Sequence, residues 1–230
     1  MFERFLSAEQ RRQKLLKKAP AGPLQDYLKI PFVSLDTPID QVEFLALDLE
    51  ATGLDIGYDD VLSVGYTVVR GLQIILAECD YFLVRPTQTI PESSAILHGI
   101  MDDQSGRGIE LQEAIQRILL ALKGKVLLAH HGNIETGFIN RDCERLFGCG
   151  VVFPLVDTFA IEFRSLKNRG ITPTNSGLRL PVLRQEYGLP RYPVHNALTD
   201  AVATAELFLA QVAHRSGNKT MLLKEVMLRS

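Results

Sequence analysis

Cysteine is scarce in this chain. Cys79, Cys143 and Cys149 form no CxxC pair. An odd number of cysteines, in a chain with no export signal, reads as free thiols in a reducing cytosol. No apolar run approaches the roughly 20 residues that span a bilayer, so no membrane partner is expected. The opening segment, MFERFLSAEQRRQKLLKKAP, is charged throughout and lacks the apolar centre of a signal peptide. A cytoplasmic location is the expectation. A strong charge imbalance is missing too. The net charge is −2, so nothing in the total announces a polyanion-binding protein. Internal repeats and low-complexity stretches are also absent.

What the chain does have is an ordinary globular composition. Its 230 residues are 46% hydrophobic, enough for one sizeable domain plus extensions and not a disordered chain. Charge is unevenly spread. Arg11, Arg12, Lys14, Lys17 and Lys18 crowd one short segment. Such a run either contacts phosphates or forms the solvated face of a surface helix. A mildly acidic total does not exclude nucleic acid, because bound metal ions offset local acidity.

The pattern along the chain has three parts. Residues 1–40 read as an extension: a basic helix near 8–18, then a linker interrupted by Pro20, Pro23, Pro31 and Pro38. Residues 41–215 read as the main domain, and 216–230 as a tail. In the domain, FLALDLEA reads as a strand, and VLSVGYTVV, LQIILAE and DYFLV as two or three more joined by short turns, an antiparallel meander. Residues 109–123 show helical periodicity, with Leu111, Ile115, Ile118, Leu119 and Leu122 on one face and Gly124 as a stop. VLLAH and VVFPLVD read as further strands, and IETGFINRDCERLFG as a helix between them. Pro181–Tyr187 suits a short helix, and ALTDAVATAELFLAQVAHR is strongly helical. A meander followed by alternating strands and helices predicts an α/β fold: a mixed sheet with helices on both faces.

FLALDLEATGL, residues 44–54, poses a problem for that sheet. Its near-continuous apolar run suits a central strand, yet it carries Asp48 and Glu50. Side chains alternate along a strand, so the two acids share a face with Phe44 and Ala46. Ala51, Thr52 and Gly53 end the strand just beyond them. Like charges so close repel unless something positive lies between. A divalent ion would answer this, and oxygen ligands suit magnesium or manganese rather than zinc. The plainer alternative is a frayed strand end where both acids are hydrated.

Two other stretches repeat this chemistry. In HHGNIETGF, Glu135 opens a helix just after a strand. In HNALTDA, His195 and Asp200 stand at the start of another helix. At about 100° per residue, a five-residue separation puts the two on different helix faces. His195 is therefore expected on the preceding loop, free to titrate, and Asp200 inside the helix facing the sheet. Taken singly, each has a plainer role. Glu135 suits a helix dipole, His195 a cap or surface position, and Asp200 a buried arginine.

Taken together and in order, these motifs resemble the DEDDh family of 3′–5′ exonucleases, the family of the proofreading epsilon subunit of bacterial DNA polymerase III. ALDLEATGL is similar to D-x-E-T-T-G-L, AHHGNIETGF to A-H-N-A-x-F-D, and HNALTDA to H-x-A-x-x-D-A. ILHGIMDD and PLVDTFAI resemble two supporting segments of that family. The resemblance covers about Phe44 to His214.

The resemblance implies a ribonuclease H-like fold and a two-metal site for Mg2+ or Mn2+. Asp48, Glu50 and Asp200 would hold the metals, with Asp48 between both. Glu135 would be the third acid and His195 the general base. Thr52, Gly53, Leu54 and His98 would lie beside the terminal nucleotide. The implied activity trims single-stranded 3′ ends, DNA favoured over RNA, and releases 5′-nucleoside monophosphates. Two alternatives stay open: an exoribonuclease like oligoribonuclease or ribonuclease T, and a nucleic-acid-binding module with weakened catalysis. The departures lie in the second motif. Glu135 stands for Asp, His131 for Asn and Ile134 for Phe. Asp142 is no substitute, being seven residues and about 10 Å further along the helix. No polymerase or clamp-binding segment is recognisable, which favours a stand-alone enzyme. Protein partners are not readable.

Overall fold

The computed structural model describes residues 7–92, 94–95, 106–193, 195–217 and 219–228. Its centre is a five-stranded sheet of order β3-β2-β1-β4-β5. The strands are β1 (Phe44–Ala51), β2 (Val61–Arg70), β3 (Gln73–Leu83), β4 (Val126–Ala129) and β5 (Leu155–Asp157). β1 pairs antiparallel with β2 and parallel with β4, so the sheet is mixed, as expected. LQIILAE and DYFLV form one strand, β3, so the meander has the smaller of the two strand counts that the pattern allows. VVFPLVD contributes only its last three residues to a strand. Pro154 lies just before them, and a proline cannot donate to a ladder.

The helices are α1 (Ala8–Leu16), α2 (Pro23–Leu28), α3 (Leu111–Leu122), α4 (Asn133–Phe147), α5 (Thr158–Asn168), α6 (Leu180–Glu186), α7 (Ala197–Ser216) and α8 (Leu223–Val226). One face of the sheet carries Leu45, Leu47, Val64, Val68 and Leu127. It is covered by α3 and α4 through Ile115, Ile118, Leu119, Phe138 and Ile139. The other face carries Phe44, Ala46, Val69, Leu128 and Val156, covered by Ile161 of α5 and by Ala205, Phe208 and Val212 of α7. Both faces are therefore helical, which explains why β1 reads as a continuous apolar run.

The segment between α1 and β1 is less of a linker than its prolines suggest. It contains α2, and Leu24, Tyr27 and Leu28 are buried in the main core. Pro23 sits at the first position of that helix, where its missing N–H costs nothing. The C-terminal tail is likewise packed. Met221, Leu223 and Val226 are buried, and Met227 bridges Val156 at the β5 edge. No helix among the described residues is long and apolar enough to cross a membrane. The three cysteines form no disulfide.

Candidate active site

One geometric match sets the site. Phe208 of α7 packs on Phe44 of β1, ring centroids 4.9 Å apart. Asp200 lies eight residues before Phe208, about 12 Å along a helix axis. Asp48 lies four residues beyond Phe44, about 13 Å along a strand. The two elements run in opposite directions over this face, so the paired phenylalanines bring the two aspartates together. Asp200, Thr204 and Phe208 follow the four-residue spacing of one helix face. Ligand oxygens of Asp48, Glu50 and Asp200 all lie within 4.8 Å of one another. Asp48 and Asp200 are half-buried and Glu50 is buried.

Gly65 makes this approach possible. It faces Asp48 across the β1–β2 ladder. A Cβ there would stand 2.1 Å from the Leu198 backbone nitrogen and 2.2 Å from the Ala197 carbonyl carbon. Only a bare backbone lets the start of α7 sit on the sheet. Sequence reasoning passed over this residue, although a glycine inside a strand pattern is a known sign of close approach.

Asn196 caps α7, its side chain accepting from the Thr199 N–H at 3.0 Å. His195 precedes the cap on the loop, as expected, with a left-handed φ of 69°. Non-glycine residues adopt that conformation only when their surroundings impose it. Here its N–H donates to Asp200 Oδ2 at 2.9 Å. His195 is exposed and directly beside the acid cluster. The buried arginine that Asp200 might have answered, Arg184, pairs instead with Glu206 at 2.7 Å.

Glu135 is not one of the three acids that converge, but its charge acts on Asp48 more strongly than that of Glu50 or Asp200. It sits in the first turn of α4, is 4% exposed, and its Oε2 has no hydrogen-bond partner. Burial, with the charges of Asp157 and Glu50 nearby, pushes its carboxyl up to about 8. Burial also raises Asp48 well above the ordinary carboxylate range, reinforced by Glu135, Glu50 and Asp200. Asp200 is raised as well, by burial, against the opposing pull of the His195 N–H. Uncompensated buried carboxylates are costly, and a divalent cation is the group that removes that cost. An orphaned Oε2 and three converging oxygens thus fit an oxygen-ligated ion.

Asp157 fixes the turn that leads into α4, the helix that carries Glu135, a role its sequence context did not disclose. Its carboxylate accepts from the N–H groups of His131 and Gly132, both at 3.2 Å, and from Phe159 at 2.9 Å. One buried side chain therefore fixes the starts of both α4 and α5. His131 is left-handed at φ 70° and lies against Phe159, centroids 3.9 Å apart. His130 is held neutral, pushed down to about 3 by burial. Its Nε2–H donates to the Leu178 carbonyl and its Nδ1 accepts from the Thr158 hydroxyl.

The loop after β1 is stiff. The Thr52 hydroxyl donates to Asp59 Oδ1 at 2.8 Å, and a Cβ on Gly53 would meet Asp59 at 2.5 Å. Arg141 donates to the carbonyls of Ile56 and Asp59, both at 2.6 Å. Asp142, buried beside it, orients Arg141 at 2.8 Å and takes no part in the acid cluster. Thr52 and Gly53 thus shape the loop, while Leu54 and Tyr58 project from it, 76% and 80% exposed. His98 lies outside the described residues.

The shifted acids make a prediction. Glu135 is raised from an ordinary 4.5 to about 8, so the stability it contributes is present below about 4.5 and lost as pH rises through about 8. A bound divalent ion favours the ionised form and reverses that loss. The increase in melting temperature on adding Mn2+ to chelated protein should therefore grow between about pH 5 and 8. A metal effect that is flat or shrinking over that range would contradict the cluster as an ion site.

A family model described as an exonuclease, RNase_T, matches residues 45–208. A DNA polymerase III PolC-type of Thermotoga petrophila is 27% identical over 177 residues, covering 77% of this chain and 12% of that protein. A DNA polymerase III subunit epsilon-like protein of Rhodobacter capsulatus is 30% identical over 178 residues, covering 76% of this chain and 24% of that protein. This chain therefore spans a quarter or less of those relatives' length. Among solved structures, the nuclease domain of 3′hExo, a DEDDh family member bound to rAMP, superposes with a TM-score of 0.63 at 16% identity, covering 78% of this chain and 95% of that one. E. coli Exonuclease I in complex with a dA16 oligonucleotide gives 0.63 at 17% identity, covering 77% and 42%. At these identities the likeness is one of fold.

Proposed function

This chain belongs to the exonuclease family, and from that premise we propose that it is a metal-dependent 3′–5′ exonuclease trimming single-stranded DNA to 5′-nucleoside monophosphates. The observation that carries this reading is the convergence of Asp48, Glu50 and Asp200 within 4.8 Å, with His195 on the adjoining loop. We assign Asp48, Glu50 and Asp200 to holding two divalent ions, Mg2+ or Mn2+. Glu135, whose Oε2 has no hydrogen-bond partner, would be the third acid serving those ions. When bound, such ions activate a water and stabilise the departing 3′ oxygen in an in-line displacement. His195 accepts the proton of the attacking water. Its position on the loop, with its N–H donating to Asp200 Oδ2, places it beside the three acids. The stiff loop sets Leu54 and Tyr58 against the terminal nucleotide, where exposed apolar and aromatic groups stack on bases regardless of sequence.

DNA is favoured because the relatives quoted above carry DNA polymerase names. The solved neighbour bound to rAMP keeps RNA as the second reading, which turns on contact with a 2′-hydroxyl. The test uses a 5′-labelled single-stranded DNA and its RNA equivalent, each with magnesium, manganese or chelator. A ladder shortening from the 3′ end only with metal is expected. Binding without cleavage would instead favour a weakened nucleic-acid-binding module.

His195→Ala should slow turnover about 100- to 10,000-fold, the usual range for a positioned acid–base group. It should also remove one limb of the pH–rate profile while leaving the metal-induced rise in melting temperature intact. An unchanged profile would show that another group takes the proton.

A further inference from the structure

Asp200 faces more than the acid cluster. It also lines a cavity of about 350 Å3 bounded by α6, the first turns of α7 and the loop of residues 189–192. Pro181, Val182 and Pro190 give the cavity apolar walls, and Asp200 is the one acidic residue lining it. Arg184, Gln185 and Arg191 line it beside the ring of Tyr192. The start of α6 is tied to the end of β4, because His130 Nε2–H donates to the Leu178 carbonyl at 3.0 Å. The cavity therefore adjoins the candidate site, with Asp200 belonging to both.

Tyr192 is held there as a platform. Arg184, 3% exposed, donates to the carbonyls of Ala203 and Pro190, both at 2.8 Å, and pairs with Glu206 at 2.7 Å. Its guanidinium carbon lies over the Tyr192 ring, 4.5 Å from the centroid. The Tyr192 hydroxyl donates to Glu206 Oε1 at 2.9 Å. The ring is thus fixed at its polar edge and backed on one face, yet the residue is 37% exposed. Arg191, exposed, donates to the Gln185 side chain at 3.0 Å. A fixed aromatic ring, apolar walls and a few amide and guanidinium groups suit a flat ligand with a polar edge, which is the chemistry of a nucleobase.

We propose that this cavity seats the base of the next-to-last nucleotide, across the scissile phosphate from the nucleotide being removed. The proposal rests on the exonuclease reading above, and it deepens that reading by naming what holds the remaining strand. The loop after β1, assigned to the terminal nucleotide, is bound to α4 through Arg141. The cavity lies against α7. These two helices cover opposite faces of the sheet, so the strand passes from one to the other over the acids. A base seated in the cavity cannot be paired, which gives the preference for single strands a structural cause.

The test uses three 5′-labelled strands of oligo-dT: intact, abasic at the last nucleotide, and abasic at the next-to-last. Affinity is read by anisotropy in chelator, and removal of the first nucleotide is timed in manganese. The unmutated protein should bind the strand abasic at the next-to-last position about tenfold more weakly than the intact one, the loss of one base–aromatic stack. Tyr192→Ala should weaken binding about tenfold on the other two strands and not at all on that one. Tyr192→Phe keeps the ring and should behave as the unmutated protein. The same pattern should appear in kcat/KM. A loss equal on all three strands, or absent from all, would overturn the proposal. So would a loss that disappears only when the last base is missing, which would seat the terminal base there. Cleavage of every strand with Tyr192→Ala indifferent overturns the cavity and leaves the exonuclease reading standing. The expected binding pattern without any cleavage upholds the cavity and sinks the exonuclease reading alone. A peptide as the true occupant would give the indifferent result.

Discussion

Asp200→Ala should abolish metal-dependent cleavage, by on the order of a thousandfold or more, about 4 kcal/mol of transition-state stabilisation. The fold should survive. Two effects oppose each other when the carboxylate goes. The His195 N–H loses its acceptor, worth about 1 kcal/mol. Against that, a half-buried charge is removed from beside Asp48, which is raised by burial first and then by its acidic neighbours, Asp200 among them. In chelator the melting temperature should therefore barely move. In manganese it should fall well short of the unmutated protein, because on the proposed reading one of the three acids that would hold the metal is gone. That pattern separates a metal ligand from a residue that merely supports the helix start. A structural role would lower stability with and without metal alike. Undiminished cleavage would remove Asp200 from the site.

How much of this was legible in the residues depended on whether they signalled through period or through partners. The face shared by Phe44, Ala46, Asp48 and Glu50 follows from strand alternation alone, and the sheet confirms it. The placement of His195 before α7 and Asp200 within it follows from helical rotation, and the capping Asn196 marks the boundary between them. What period could not supply was distance between elements remote in sequence. Gly65 carries no chemistry of its own, and its meaning appears only when Ala197 and Leu198 are laid over it. Asp157 read as the end of a strand, because its four backbone donors come from two different helix starts. The prolines between α1 and β1 suggested a linker, while the burial of Leu24, Tyr27 and Leu28 depends on a core built mostly from later residues. Motif order makes Glu135 the third acid. Its burial and its orphaned oxygen are consequences of where α4 begins.

Gly65→Ala should cut turnover sharply while the fold survives. The added Cβ meets backbone atoms of Leu198 and Ala197 at 2.1 and 2.2 Å, and backbone has no rotamer with which to yield. The start of α7 must shift, carrying His195 and Asp200 away from Asp48. A displacement of about 1 Å at reacting groups commonly costs about 100-fold. Overpacking of this kind costs about 1–3 kcal/mol of folding stability, which a chain with two helical layers on its sheet should withstand. Gly71→Ala is the matched control. Gly71 has a left-handed φ of 57° but open space around its Cβ position, so the change strains only a surface turn. It should lower the melting temperature modestly and leave turnover alone. The manganese-induced rise in melting temperature gives an independent reading, expected to shrink in Gly65→Ala and persist in Gly71→Ala. Full turnover in Gly65→Ala would mean that α7 need not sit on the bare backbone of β2, and the register linking Phe44 with Phe208 and Asp48 with Asp200 would no longer account for how the site is built.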